Sequence, residues 1–358
     1  MAKTICFEIE DPWWILSLRP KLLPDYWEII TFFVDGVVIN CDHIQQEICR
    51  IPDDLVHWRQ LRELPIELYQ LILNHTNFLS RIRMRCANKL FWQKLEINDF
   101  YNIPTEYSKR LTGPILQSYP FITKLNATEK PEITDINCLT RLEVLNASGV
   151  QCGLGHPQFV KLTNLRELNI ANNPKCFWIN RLTNLEVLDI RRKCGIDDNS
   201  GINQLRKLKF LNATNNSKIS NISHLTNLEI MHARGRCGIK NISSLTNLTE
   251  LNMFENTHIT DLNNLTKLKV LDAGNGNDWY AGQWGCQLGD AGIVNLNLTK
   301  LKAQNNPWIT NVNHMTNLKY LNASKLECGI DQNGISNLTF YVLITRRNRK
   351  IHTKKLNK

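Results

Sequence analysis

Eleven cysteines and nine histidines are the side chains of this chain best suited to ligating a metal or attacking a carbonyl. Their placement argues against both. No CxxC pair occurs, and there is no HExxH, GxSxG, P-loop or GxGxxG. Cys152, Cys194, Cys237, Cys286 and Cys328 stand 42, 43, 49 and 42 residues apart, too far for shared ligation. An odd total without close pairs reads as reduced, buried thiols in a reducing compartment. The histidines are scattered, and His232 reads as a surface residue. GNGN at Gly274 is a lone glycine-rich turn. No metal, cofactor or catalytic activity is expected.

The cysteine spacing is instead twice a shorter one. LTNL stands at 162–165, 182–185, 225–228 and 245–248, with LTRL, LTKL and MTNL as variants. Each leads into L-x-x-L-x-(A/I/M). The first apolar residues are Ile122, Leu142, Leu165, Leu185, Leu208, Leu228, Leu248, Leu268, Leu298, Leu318 and Leu338, mostly 20 or 23 residues apart. A near-constant period of this length means a solenoid. With the first apolar residue as position one, positions one, four and six point inward. Positions three and five sit on a short strand and face outward. Strands of successive coils pair in parallel. So short a repeat leaves only 3₁₀ turns or extended segments for the convex side. Position nine is Asn at Asn173, Asn216, Asn256 and Asn306, where a buried amide can satisfy inward-turned backbone groups. Cysteine marks the alternating coils.

Around the repeats, residues 1–56 carry no repeat and are rich in aromatics, with no assignable fold. Residues 57–97 read as short helices: Pro65 and Glu67 suit a first turn, and a second helix is expected from Phe78 to about Leu90. Residues 98–121 link to and cap the solenoid, which fills 122–343 in about 11 repeats. The tail 344–358 is basic. Arg346–Lys358 hold three Arg, four Lys and no acid, and so supply +7 of the net +10. Nucleic acid is not expected as a partner, the tail aside. No apolar run reaches the roughly 18 residues of a membrane helix. Glu8, Glu10 and Asp11 interrupt where a signal peptide's apolar core would lie. A cytoplasmic protein is expected, or a nuclear one through its tail.

The repeats resemble leucine-rich repeats, and the Cys coils resemble the cysteine-containing type of F-box proteins. That resemblance implies an α/β horseshoe solenoid with a parallel sheet on its concave face, preceded by an α-helical domain. The segment L-P-x-E-L-x-x-x-I-L, at Leu64, Pro65, Glu67, Leu68, Ile72 and Leu73, resembles an F-box, with Cys86 and Trp92 near the family's cysteine and tryptophan. The resemblance implies docking to a Skp-type adaptor of a cullin–RING ubiquitin ligase, with the repeats receiving an unknown protein substrate. The alternative is an interaction scaffold whose F-box-like segment is only a helical cap. The Asn-, Ile- and Lys-rich style also resembles proteins of giant DNA viruses.

Two surfaces are candidates for the partner. Position three is often apolar, at Val144, Val187, Phe210, Ile230, Val270 and Tyr320, with Glu167 and Glu250 interrupting; the stripe is either a docking surface or strand propensity alone. The spacing of 30 marks an insertion, 274–285, carrying Trp279, Tyr280 and Trp284, with Trp308 on the same edge one coil later. Loop aromatics are either interface anchors or rings tucked against the solenoid. At position five nearly every residue is Asn or Asp, a ladder expected to bond between coils.

Overall fold

The computed structural model describes residues 5–8, 30–34, 37–40, 49–50, 66, 70, 73–74, 78–86, 89–276, 285–340 and 342–352. The chain divides into two compact units, Met1–Arg110 and Leu111–Lys358.

In the first unit, β1 (Ile5–Glu8) pairs in parallel with β2 (Ile30–Val34). Antiparallel pairing adds β3 (Val37–Asn40) and β4 (Cys49–Arg50). Two helices follow, α1 (Phe78–Cys86) and α2 (Lys89–Lys94). The expected single helix from Phe78 is thus broken before Lys89. Leu73, Leu95, Ile97 and Phe100 form an apolar centre, all 1% exposed or less. The Phe78 and Phe100 rings meet edge-on at 5.3 Å. Gln70 holds both backbone groups of Glu96, donating to its carbonyl and accepting from its N–H. The unit ends with β5 (Asp99–Phe100) and α3 (Thr105–Ser108).

The second unit opens with α4 (Gly113–Gln117), whose Pro114 suits a first turn. Its strands are β6 (Lys124–Asn126), β7 (Val144–Asn146), β8 (Glu167–Asn169), β9 (Val187–Asp189), β10 (Phe210–Asn212), β11 (Ile230–His232), β12 (Glu250–Asn252), β13 (Val270–Asp272), β14 (Lys300–Lys302), β15 (Tyr320–Asn322) and β16 (Val342–Ile344). They pair in parallel in chain order, three residues against three. This is the parallel-sheet solenoid that the resemblance implies. Burial follows the alternation: Leu165, Leu168 and Ile170, or Leu208, Leu211 and Ala213, are 1% exposed or less, while positions three and five lie on the open face.

After the strand, the coils with 20-residue spacing continue with apolar residues three apart, as in Ile219, Ile222, Leu225 and Leu228, all fully buried. A spacing of three suits tight turns, not a 3.6-residue helix. The longer coils place their extra residues in one helical turn: α5 (His156–Phe159) and the 3₁₀ turns Ile202–Gln204, Asp290–Gly292 and Asn333–Ile335.

The last coil departs from the expected register. Val342 pairs with Tyr320, so position one is Phe340, not Leu338. Asn348 then falls at position nine, and its side chain donates to the carbonyls of Ala323 and Ile330. The solenoid therefore runs into the stretch expected to be a tail. Phe340 is no leucine, which hid the register.

Candidate functional site

The sheet face is held rigid from beneath by polar side chains. Each position-nine Asn is 0% exposed at Asn173, Asn216, Asn256 and Asn306. Its amide donates to the position-six carbonyl of the preceding coil: Ala147, Ile190, Ala233 and Ala273 in turn, at 2.7–3.0 Å. Its Oδ1 accepts the backbone N–H two residues on. In the Cys coils a thiol serves the same acceptor. Cys152 donates to Ala127 O and Cys328 to Ala303 O. Amide and thiol are thus alternative donors to one row of carbonyls. Glycine follows Cys152, Cys194, Cys237 and Cys328 because the preceding coil leaves no room. A Cβ at Gly195 would lie 2.5 Å from the carbonyl oxygens of both Pro174 and Cys176.

These thiols are packing groups. Burial raises the Cys194 pKa to about 12 and those of Cys237 and Cys328 to about 11, so they stay protonated. Cys176, which the two-coil spacing did not reveal, is buried between Cys152 and Cys194 and is also shifted up by burial. Among the described residues, no group of three or more His, Cys, Asp or Glu could hold a metal ion. Nor is any described helix long and apolar enough to cross a membrane.

The position-five ladder is structural, but within coils rather than between them. Asn126, Asn146, Asn169, Asp189, Asn212, Asn252, Asp272 and Asn322 each accept the N–H two residues on, which starts the bend out of the strand. Two cross-coil contacts are seen, from Asn212 Nδ2 to Asp189 Oδ2 and from Lys302 Nζ to Asp272 Oδ2, both at 3.5 Å. The Asn of LTNL has a similar purpose that the sequence did not disclose. Asn164, Asn184, Asn227 and Asn247 donate to carbonyls of Thr140, Thr163, Arg206 and Thr226 in the coil before.

On this frame Lys300 joins Glu167 and Glu250 in interrupting the apolar stripe. Val187, Phe210 and Ile230 are direct neighbours on β9, β10 and β11, each half-buried. His232 extends the patch: its ring meets Phe210 edge-on at 5.3 Å, and burial shifts its titration down. Glu167 separates Val144 from this run. Glu250 and Lys300 flank Val270. Tyr320 lies beyond Lys300, whose Nζ sits 5.0 Å over its ring. Beside the run, Glu186 accepts Lys209 at 2.9 Å and faces Arg166 at 3.6 Å. The Lys209 hydrogen bond is the main cause holding the Glu186 pKa down. Two shallow grooves, of about 470 and 530 Å³, meet at Glu186 and Lys207.

On the loop edge, Trp308 is 49% exposed. Trp178 (43%) and Phe177 (51%) are also exposed and flank the His156 ring. Trp279, Tyr280 and Trp284 lie outside the described residues. Among the described residues, Ser220, Arg236, Lys240 and His258 line a depression of about 960 Å³. Of the F-box-like positions, Leu64, Pro65, Glu67, Leu68 and Ile72 also lie outside the described residues, while Leu73 is fully buried.

No family model matches the chain, and no curated protein matches it. Solved structures do. An internalin (InlF) from Listeria monocytogenes aligns over 73% of this chain and 77% of its own, at 20% identity and a TM-score of 0.45. A TLR13–ssRNA13 complex aligns over 80% of this chain and 42% of its own, at 18% identity and a TM-score of 0.48. The functional domain of InlJ from Listeria monocytogenes, described as including a cysteine ladder, aligns over 63% and 60%, at 17% identity and a TM-score of 0.33.

Proposed function

We propose that this chain is a protein-interaction scaffold, with the open face of its parallel sheet as the docking surface. The contiguous run Val187–Phe210–Ile230 carries the reading. Three large apolar side chains, adjacent across three strands, stay half-exposed on an otherwise hydrogen-bonded polar face. A rim of Glu186, Lys209 and Glu229 surrounds them, the arrangement of an interface core with a charged edge. Phe210→Asp with Ile230→Asp should abolish capture of any partner that the wild type enriches in cross-linking mass spectrometry. The double variant should retain the wild-type melting curve. Equal capture by variant and wild type would remove the face from consideration.

A second reading makes the scaffold a substrate receptor of a cullin–RING ubiquitin ligase, docking a Skp-type adaptor through Leu64, Pro65, Glu67, Leu68, Ile72 and Leu73. The sequence pattern supports it, together with the short helices α1 and α2 that follow. The complete burial of Leu73 favours the cap instead, since a docking leucine must reach its partner. A pull-down with a purified Skp-type adaptor decides: binding lost in Leu64→Ala/Pro65→Ala supports the receptor, and no binding by folded wild type leaves the cap. The free thiols of the described cysteines support a reducing compartment, cytoplasmic or nuclear. Fractionation of the tagged protein tests that placement.

A further inference from the structure

The charges on the sheet face are sorted along the solenoid. In the coils beginning at Leu142 to Leu248, strand-face cations stand among acids. Arg166 and Lys209 share Glu186, and Arg191 pairs with Asp189 at 2.9 Å. Glu143, Glu167, Glu229 and Glu250 add further negative charge.

From the next coil the sign reverses. Positions two, three, five and seven are Lys269, Val270, Asp272 and Gly274, then Thr299, Lys300, Lys302 and Gln304, then Lys319, Tyr320, Asn322 and Ser324. Arg346 follows at position seven of the last coil. Asp272 is the single acid among these, and it meets Lys302 at 3.5 Å. Across the register Lys300 stands between Val270 and Tyr320, and Lys302 between Asp272 and Asn322, so each ammonium stem rises beside an uncharged or oppositely charged neighbour. Lys300 and Lys302 share one face of the three-residue strand β14. In the earlier coils several acids stand among the cations, whereas the strand face of these coils carries a net positive charge.

In the midst of the cations lies apolar surface: Tyr320 pairs with Val342, which is 43% exposed. The Tyr320 ring is already covered by the Lys300 ammonium. That cover makes it a poor platform for a stacked base, which needs an open ring face. Carboxylates set around one apolar side chain fit the arrangement better.

We propose that the strand face of the last coils, at Lys300, Lys302, Lys319 and Arg346 around Tyr320 and Val342, binds an acidic protein segment carrying an apolar or aromatic residue. The inference rests on the sheet face being a docking surface, and it fixes the partner's polarity: acidic where it meets the C-terminal coils. Carboxylates of the segment accept from the ammonium groups, while its apolar residue lies against Tyr320 and Val342.

The test uses the full chain and fluorescence anisotropy of a short fluorescein-labelled oligoglutamate peptide containing one tyrosine. A matching lysine peptide and an oligothymidylate serve as the alternatives. Wild type should bind the glutamate peptide, more weakly as salt rises, and should not bind the lysine peptide at this face. Lys300→Glu/Lys302→Glu/Lys319→Glu should weaken binding by about tenfold or more, while Lys218→Glu/Lys240→Glu, off the strand face, should leave it unchanged. If the charge reversals unfold the protein, the milder Lys300→Gln/Lys302→Gln/Lys319→Gln gives the same reading. Three results overturn the proposal: no binding by wild type, binding indifferent to the strand-face substitutions, or oligothymidylate binding that the glutamate peptide cannot displace. Each leaves the apolar run at Phe210 to stand or fall by its own substitutions.

Discussion

Position eight carries the most demanding backbone in every coil but the one beginning at Leu268. It is left-handed at Glu129, Asn172, Arg192, Asn215, Glu255, Asn305, Lys325 and Arg347, and at Gly149 and Gly235. There the chain leaves the strand while its N–H still reaches the next coil, as Arg192 N does to Thr214 O and Asn215 N to Arg234 O. Residues other than Gly or Asn accept this conformation at a cost of about 1–2 kcal/mol. Arg192 is exposed, so Arg192→Gly should relieve that strain at little loss of contact. Allowing for glycine's freer unfolded chain, a gain of about 0.5–1 kcal/mol in urea unfolding is expected. Arg191→Gly, one residue earlier, should lose stability. Asn216→Ala goes the other way: it strands the Ile190 carbonyl and the Lys218 N–H, at about 1–3 kcal/mol. The position-nine role was legible in the sequence because a buried Asn recurs there and little else explains it. Position eight was not, because Glu, Arg, Lys, Asn and Gly share no side-chain property there; only the backbone is constant.

Longer and shorter coils are locked together by their extra turn. Asp198, just before the 3₁₀ turn at Ile202, accepts the backbone N–H groups of Ser220 and Asn221 and the Ser220 hydroxyl at 2.5 Å. Asp290 repeats the clamp on Thr310 and Asn311. Burial opposes the charge on Asp198, yet these three hydrogen bonds outweigh it and hold its pKa below the usual value. A carboxyl depressed in the fold adds stability above its unfolded pKa, and the contribution vanishes as pH falls through the folded one. The window lies below about pH 4. Melting temperature should therefore fall more steeply in that window for wild type than for Asp198→Asn. The variant should melt lower at pH 7, and the gap should close on acidification; a constant gap would show that the charge plays no part. At this scale the sequence was readable in period and alternation, because burial repeats with the chain. The clamp was not, since its two halves belong to different coils and neither forms a local motif. The same reason shortened the apolar stripe. Lys300 interrupts it at a position that the strand register shows at once and a list of apolar residues passes over.

Along the solenoid the sheet pairs each coil with its neighbours, and Lys325 Nζ to Gly276 O is a contact that skips a coil, so stability is close to a sum of coil and interface contributions. The position of a lesion should then matter as much as its chemistry. Leu211 is fully buried in the middle of the sheet, between β9 and β11. Leu343 occupies the equivalent position in β16, half-buried and bordered by β15 on one side. Leu211→Asp places a carboxylate in the core and breaks two interfaces, whereas Leu343→Asp breaks one at a face already partly wet. The first should remove several coils of protection in native-state hydrogen exchange, on both sides of β10. The second should fray the chain from Phe340 onward and leave protection intact before β14. It should also loosen Arg346 and Val342, and with them the surface proposed for an acidic segment, while leaving Val187, Phe210 and Ile230 in place. Equal, global loss of protection in the two variants would mean that the solenoid unfolds as one unit, and the nearest-neighbour account would have to be abandoned.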